Sequence, residues 1–384
     1  MVVIDRTEYD FAHQQSRRED PEFGRLRHGF ARGFHFQVAL AVDREFGFPL
    51  ALSDVFSYSR GPKEAGRNHK LLELEQKESR FWVEAVSRIA QSTAQAEKVL
   101  VVADAELDFF PFLSAIRAEK MDFLVRLAHN RILLEDEEPS RALAKLALQP
   151  ELGRYAFELR HDGRKKRTAR KCQIALRATA ATIGSSNNED DPIPLWLVEA
   201  KETDETVPEG EKPICWRFLT SRKVETEQQC REVVRDYQNR WLIEQLFRTT
   251  KQKGFAVESS QVSEASALRK LIAICLQAAI RVMQLVQARD WQREAKAELV
   301  FSKRELVVIE LLLKEVEGKT AKQKNPYPRN SLQAAIWVVA RIGGWHGLPS
   351  QHKPGPKTMK RGLERLEHYC KAYEIFSEKD VYRE

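Results

Sequence analysis

Four residues in the stretch YQNRWLIEQLFRTTK have side chains suited to handling phosphate: Tyr237, Arg240, Glu244 and Lys251. On a helix turning ~100° per residue they fall within roughly 60° of one another, so the spacing predicts one polar stripe. Trp241, Leu242, Leu246 and Phe247 supply apolar anchors elsewhere on the same helix. A polar stripe is commonly just solvated, and Arg240 with Glu244 is an i,i+4 pair worth only a few tenths of a kcal/mol. Two aspartates change its meaning. Asp5 ends the apolar run MVVI, and Asp104 ends KVLVVA, each placed as at the end of a strand. With Glu244 reaching in from the later helix, they would form a three-acid cluster. Three carboxylates alone repel one another and titrate upward. Their hard oxygens suit Mg²⁺, or Mn²⁺ as the alternative ion. Two such ions ~4 Å apart can run an in-line phosphoryl transfer. Arg240 and Lys251 would then grip DNA phosphates beside them.

The elements that would position these residues can be read in order. FHFQVALAVD and FPLALSDVFSYS flank a turn and predict a β-hairpin. Glu78 to Gln95 has helical apolar spacing, KVLVVAD reads as a buried central strand, DFFPFLSAIRAEK as a helix and MDFLVRL as another strand. A hairpin followed by βαβ fits an α/β mixed sheet of the ribonuclease H type. From about residue 150 the pattern alternates across a basic loop, which predicts a second hairpin, and ICWRFLTS adds a further strand. After Thr226 nearly all segments read as helix, with Gly254 as a stop for the helix that carries Glu244. The expected organisation is a catalytic core over 1–150, a β-rich insertion over 151–225, the catalytic helix region over 226–290, and an all-helical C-terminal region over 291–384.

Bulk properties narrow the function. The net charge is +7 over 384 residues, which suggests a polyanionic partner. The charge concentrates in GRKKRTARK, Gly163 to Lys171, where Arg164, Lys165, Lys166 and Arg167 are consecutive. Solvated loop and nucleic-acid contact are both open for it. Five scattered cysteines without a C-x-x-C pair argue against zinc and for a reducing cytoplasm. No basic leader followed by an apolar segment opens the chain, and no run approaches the ~20 apolar residues of a membrane span.

The combination resembles the DDE transposases of the insertion-sequence-4 group, the type of the composite-transposon enzyme. Tyr237, Arg240, Glu244 and Lys251 fit the signature Y-x2-R-x3-E-x6-K, VVADAELDFFPFL resembles the second-Asp segment and VIDRTEYDF the first. KESRFWVEAV, CWRFLTS and ARIGGWHG extend the resemblance over nearly the whole chain. The resemblance implies a ribonuclease H-like core with a β insertion and C-terminal helices used for dimerisation. It implies cut-and-paste transposition by a homodimer on double-stranded DNA, through end nicking, a hairpin and strand transfer, in a bacterial, nucleoid-associated setting. Asp5, Asp104 and Glu244 would hold two Mg²⁺ ions, and Tyr237, Arg240 and Lys251 would contact the terminal phosphates. Trp216 resembles the aromatic that receives a flipped base, with a buried strand Trp as the ordinary alternative. Arg126 matches a basic residue beside the site, with a sheet-edge Arg as the alternative. The resemblance also implies a helical DNA-binding domain before the first Asp, whereas four residues precede Asp5. Weak end-specific recognition is therefore expected, and a truncated, dimerising inhibitor of transposition is the alternative function. Another ribonuclease H-like nuclease fits the β insertion and the stripe less well.

Overall fold

Val2, Val3 and Ile4 open strand β1 (Val2–Asp10) because β-branched side chains pack well on a pleated surface. In this computed structural model, which describes residues 1–13, 15–27, 31–61, 72–134, 141–163, 167–185, 191–348 and 350–377, the strand is nine residues long. Asp5 therefore lies in the middle of β1 and not at its end. The sequence pattern misleads here because Arg6, Thr7 and Glu8 are polar yet stay in the ladder, paired with β3 (Arg32–Asp43) as far as Asp10. Successive side chains of β1 enter different cores. Val3 and Tyr9 pack into one apolar cluster, Val2 and Ile4 into another. Both faces of the sheet are thus covered.

The other strands are β2 (Gly24–Arg25), β4 (Phe48–Tyr58), β5 (Leu100–Ala103), β6 (Asp122–Arg126), β7 (Gly153–Leu159), β8 (Arg170–Ile183), β9 (Ile193–Glu202) and β10 (Cys215–Thr220). They make one ten-stranded mixed sheet in the order β2-β3-β1-β5-β6-β10-β9-β8-β7, with β4 also paired to β3. β1, β5 and β6 run parallel; β3 and β10 run against them on either side. Residues 151–225 thus continue the same sheet, joined through the β10–β6 ladder.

Helices α2 (Arg80–Ser92), α3 (Phe110–Ala118) and α4 (Ala142–Ala147) cover the face of Val2 and Ile4 through Trp82, Ile89, Phe112 and Leu146. The short α1 (Gln15–Glu19) follows β1. The other face carries α5 (Glu227–Gln238), α6 (Trp241–Arg248) and the first part of α7 (Ala265–Ala288), through Val233, Ile243, Leu268 and Leu276. The far end of α7 packs into a third cluster with α8 (Lys303–Glu315), α9 (Leu332–Ile342) and α10 (Pro356–Ser377). Apart from Arg341, every residue of α9 is buried in its own chain. One helix among the described residues, α7, is long and apolar enough to cross a membrane, which the residue-by-residue reading overlooked. Half of its most apolar window is buried inside the fold, between the sheet and the C-terminal helices.

A buried charge fixes α5 in place. The helix starts at a capping box, Thr226 with Gln229, which satisfies two otherwise free N–H groups. Near its end Asp236 is fully buried. Arg44, from the β3–β4 turn, donates to Asp236 Oδ1 at 2.8 Å, and Arg222, just past β10, donates to Oδ2 at 2.8 Å. Glu232 lies against both arginines. One carboxylate thereby ties α5 to two separate connections at one edge of the sheet. Replacing Asp236 with Asn should lower stability by about 3 kcal/mol in urea unfolding. That is the low end for breaking a buried pair, because both arginines remain partly exposed. A loss below about 0.5 kcal/mol would mean that the tether is incidental.

Candidate active site

The register brings the predicted residues onto one row. The parallel β1–β5 ladder stops at Val3–Val102, so Asp5 and Asp104 each stand two residues past the last pair, at the same level. Ala103 pairs with Val125, which puts Asp104 level with Arg126, and Arg126 in turn pairs with Phe218. Parity places them on one face. Asp5 shares the face of Val3, Asp104 that of Val102, Arg126 that of Leu124, and Trp216 that of Phe218, all in the cluster covered by α5–α7. Neighbouring strands are ~4.8 Å apart, so the row crosses three parallel strands in about 10 Å. Crevices outside the carboxyl ends of parallel strands are the usual ligand sites of α/β sheets.

Two loops are held beside this row. Asp104 Oδ1 accepts the Glu106 N–H at 2.9 Å and so caps the 3-10 turn Ala105–Leu107. Asp108, four residues on, is buried; it accepts the Ala128 N–H at 2.8 Å and Arg131 Nε at 2.6 Å. It locks the loop after Asp104 to the loop after Arg126. The sequence reading passed over Asp108 and Asp236. A repeat such as DAELD offers a signal, but a single sequence does not say which Asp faces inward.

The helix above is not regular. Arg240 N–H, Leu242 N–H and Ile243 N–H each bond to the carbonyl three residues earlier, a tight 3-10 turn between α5 and α6. At the other end a π turn spans Thr249–Lys253. There Thr249 Oγ1 donates to the Gln245 carbonyl at 2.8 Å, the kind of back-bond that perturbs a helix. π turns inside helices occur mostly at functional positions.

Arg240 links the acids. Its Nη1 donates to Asp5 Oδ2 at 3.0 Å, and its Nη2 donates to Glu244 Oε1. Asp5 Oδ1 accepts the Arg6 N–H at 2.7 Å. Burial, then the neighbouring Asp104, pushes the Asp5 carboxyl up to about 7, with the Arg6 N–H and Arg240 opposing. Burial opposes the Arg240 charge, yet Tyr237, Asp5 and Glu244 together hold its pKa above the ordinary value. Tyr237 packs in a tilted contact at 4.7 Å against Phe218 and lies under the Arg240 guanidinium at 5.7 Å. Burial raises its hydroxyl pKa, while Arg240 and Arg126 pull it back.

Asp5, Asp104, Glu244, Arg240, Tyr237 and Arg126 therefore share one crevice. Trp216, two residues beyond Phe218, sits ~7 Å past the row. It is half-buried, with its ring 5.5 Å from Phe157 in a T-shaped contact. Lys251 is not brought to the acids. Its ammonium lies 5.1 Å from the Tyr9 ring, and burial lowers its pKa against the pull of Glu258, Glu8 and Asp10. The 3-10 and π turns break the single helix on which the wheel relied. Arg167 pairs its backbone with Asp162 and closes the β7–β8 loop; Arg164, Lys165 and Lys166 lie outside the described residues. The loop caps a two-stranded arm: Arg170 is eight residues beyond Ala178, which is level with the acid row through Val198, so the arm reaches ~26 Å past it.

No group of three or more His, Cys, Asp or Glu among the described residues is spaced to hold a metal ion as it stands. The donors are nonetheless the oxygen ligands that a hard divalent cation prefers, and mutual repulsion at Asp5 is what such a cation would relieve. Acids, a guanidinium and a phenol converging at the carboxyl end of parallel strands are groups of the kind that phosphoryl transfer uses. Residues 2–280 match the transposase DDE domain, and the chain belongs to that family. Transposase activity on DNA follows from membership, and the family typically uses divalent metal ions.

A raised Asp5 has a consequence for stability. Above pH ~4 the unfolded chain has released a proton that the folded state keeps until about 7. The Asp5 share of stability is therefore present at pH 4 and lost as pH rises toward 7. Urea unfolding of the DNA-free protein in EDTA should show that fall, and Asp5→Asn should remove most of it. An unchanged fall in Asp5→Asn would assign it to another group.

Proposed function

We propose that this chain is a cut-and-paste transposase of the insertion-sequence-4 group, acting as a homodimer on transposon ends in the bacterial cytoplasm, at the nucleoid. The observation that carries the reading is the level placement of Asp5 and Asp104 on one face, with Glu244 joined to Asp5 through Arg240. The strand order β4-β3-β1-β5-β6, antiparallel on one side of β1 and parallel on the other, supports a ribonuclease H-like core.

Asp5, Asp104 and Glu244 would hold two Mg²⁺ ions. Bound there, the ions would activate the attacking oxygen and neutralise the leaving one. Arg126 and Tyr237, beside the row, would orient the terminal phosphates, and Arg240 would add its fork to them. Lys251, in the π turn and over Tyr9 of β1, would meet the backbone a few nucleotides away. Trp216, half-buried a step past the row, would stack on an extruded base during hairpin formation. The arm bearing Arg164, Lys165, Lys166 and Arg167 would follow the flanking duplex.

Two measurements test the assignment. Glu244→Gln should retain the fold but cut a pre-nicked end substrate at least ~10³-fold more slowly in Mg²⁺, about 4 kcal/mol of barrier. Cleavage at the parental rate would remove Glu244 from the site. Changing Arg164, Lys165, Lys166 and Arg167 together to Ala should weaken binding to every duplex alike and flatten its salt dependence. Unchanged affinity across a salt series would leave the loop merely solvated.

A further inference from the structure

Arg240 occupies two of the three acids at once. Nη1 takes Asp5 Oδ2 and Nη2 takes Glu244 Oε1, while the other Asp5 oxygen is taken by the Arg6 N–H. A divalent cation needs those same lone pairs, and it needs the guanidinium charge removed from them. The acid cluster is thus closed by the chain's own cation. A second observation concerns the rest of that side chain. Arg240 Nε is buried and has no hydrogen-bond partner. A guanidinium carries five donors in a fixed fork, and a buried donor without an acceptor is unfavourable. The resting position therefore leaves Arg240 incompletely satisfied. A phosphate, with several outward oxygens, can accept from Nε and from the fork together. The residue is also placed to move. It sits in the 3-10 turn between α5 and α6, over the face of Tyr237, and not within a regular helix.

We propose that Arg240 is an exchangeable counter-ion: in the DNA-free protein it neutralises Asp5 and Glu244, and it gives them up when a DNA backbone phosphate takes the guanidinium. Cation loading and DNA loading are then coupled through one side chain. The inference rests on the three acids being the metal site. It adds that the site is self-blocked at rest and that the substrate's own phosphate lifts the block. By linkage, DNA raises cation affinity and a cation raises DNA affinity by the same factor.

The test is Mn²⁺ titration followed by electron paramagnetic resonance of the free ion, on the full chain, with and without a short blunt duplex. Without DNA, Arg240→Gln should bind Mn²⁺ about tenfold or more tightly than the parent, since even at high effective dielectric a competing charge ~4 Å away weighs heavily. The duplex should raise the affinity of the parent and leave that of the variant nearly unchanged. Arg240→Lys keeps the charge but cannot fork across both acids, so it should fall between the two; it carries the test if the Gln variant does not fold. Equal Mn²⁺ affinity of parent and variants without DNA overturns the inference, as does a parental affinity indifferent to DNA. Asp5→Asn in each background separates the two failures. Mn²⁺ binding that survives Asp5→Asn places the ion elsewhere and removes the metal-site reading together with the inference. Binding abolished by Asp5→Asn but indifferent to Arg240 removes the counter-ion alone.

Discussion

Asp5 stands in the middle of a strand whose neighbours on both faces are apolar, and an ionised carboxylate there has lost most of its water. Everything around the row answers that constraint. The Arg6 N–H and the Arg240 guanidinium each take one oxygen, yet burial and the nearby Asp104 still hold the carboxyl near 7. Arg240 is the cation that the chain itself supplies to Asp5 and Glu244.

Such a site works only if the helix above it is held at a fixed height and angle. Asp236 does that for α5, clamped between Arg44 and Arg222. Asp108 does the equivalent for the loops after Asp104 and Arg126. Each clamp joins segments distant in the chain, and each buries a carboxylate whose charge is matched by arginine. The acids that hold the architecture are fully partnered. Asp5 differs from them in keeping a carboxyl that burial and Asp104 push up to about 7 despite its partners.

The sheet also carries the protein outward. Strands β7–β10 prolong it past the acid row and end in a basic loop, with Glu202 and Arg170 paired bidentately near the tip. Burial opposes the Glu202 charge, but Arg170 and the Ile214 N–H bring its pKa down to about 2, so the arm stays pinned at any ordinary pH. Behind the site, α7 serves two cores, its early residues packing under the sheet and its later ones among α8, α9 and α10. Its length and apolarity reflect that double burial.

Much was legible in the residues themselves. Alternation and apolar runs marked nearly every strand of the sheet, because burial on one or both faces leaves a period in the sequence. That Tyr237, Arg240 and Glu244 lie together was legible, because spacing of three and four keeps neighbours on one side of any helix. The position of Lys251 was not, because the chain enters a π turn at Thr249 whose underwinding no wheel anticipates. Nor was the central position of Asp5, since polar residues can stay in a strand when a partner strand accepts their backbone groups. The sequence by itself determined which residue types were available and the local elements that carry them. The tertiary structure alone decided which carboxylates face one another, that Arg240 lies between two of them, and that the arm continues the same sheet. Those outcomes depend on ladder register and on long-range ion pairs, and neither leaves a period in a chain read one residue at a time.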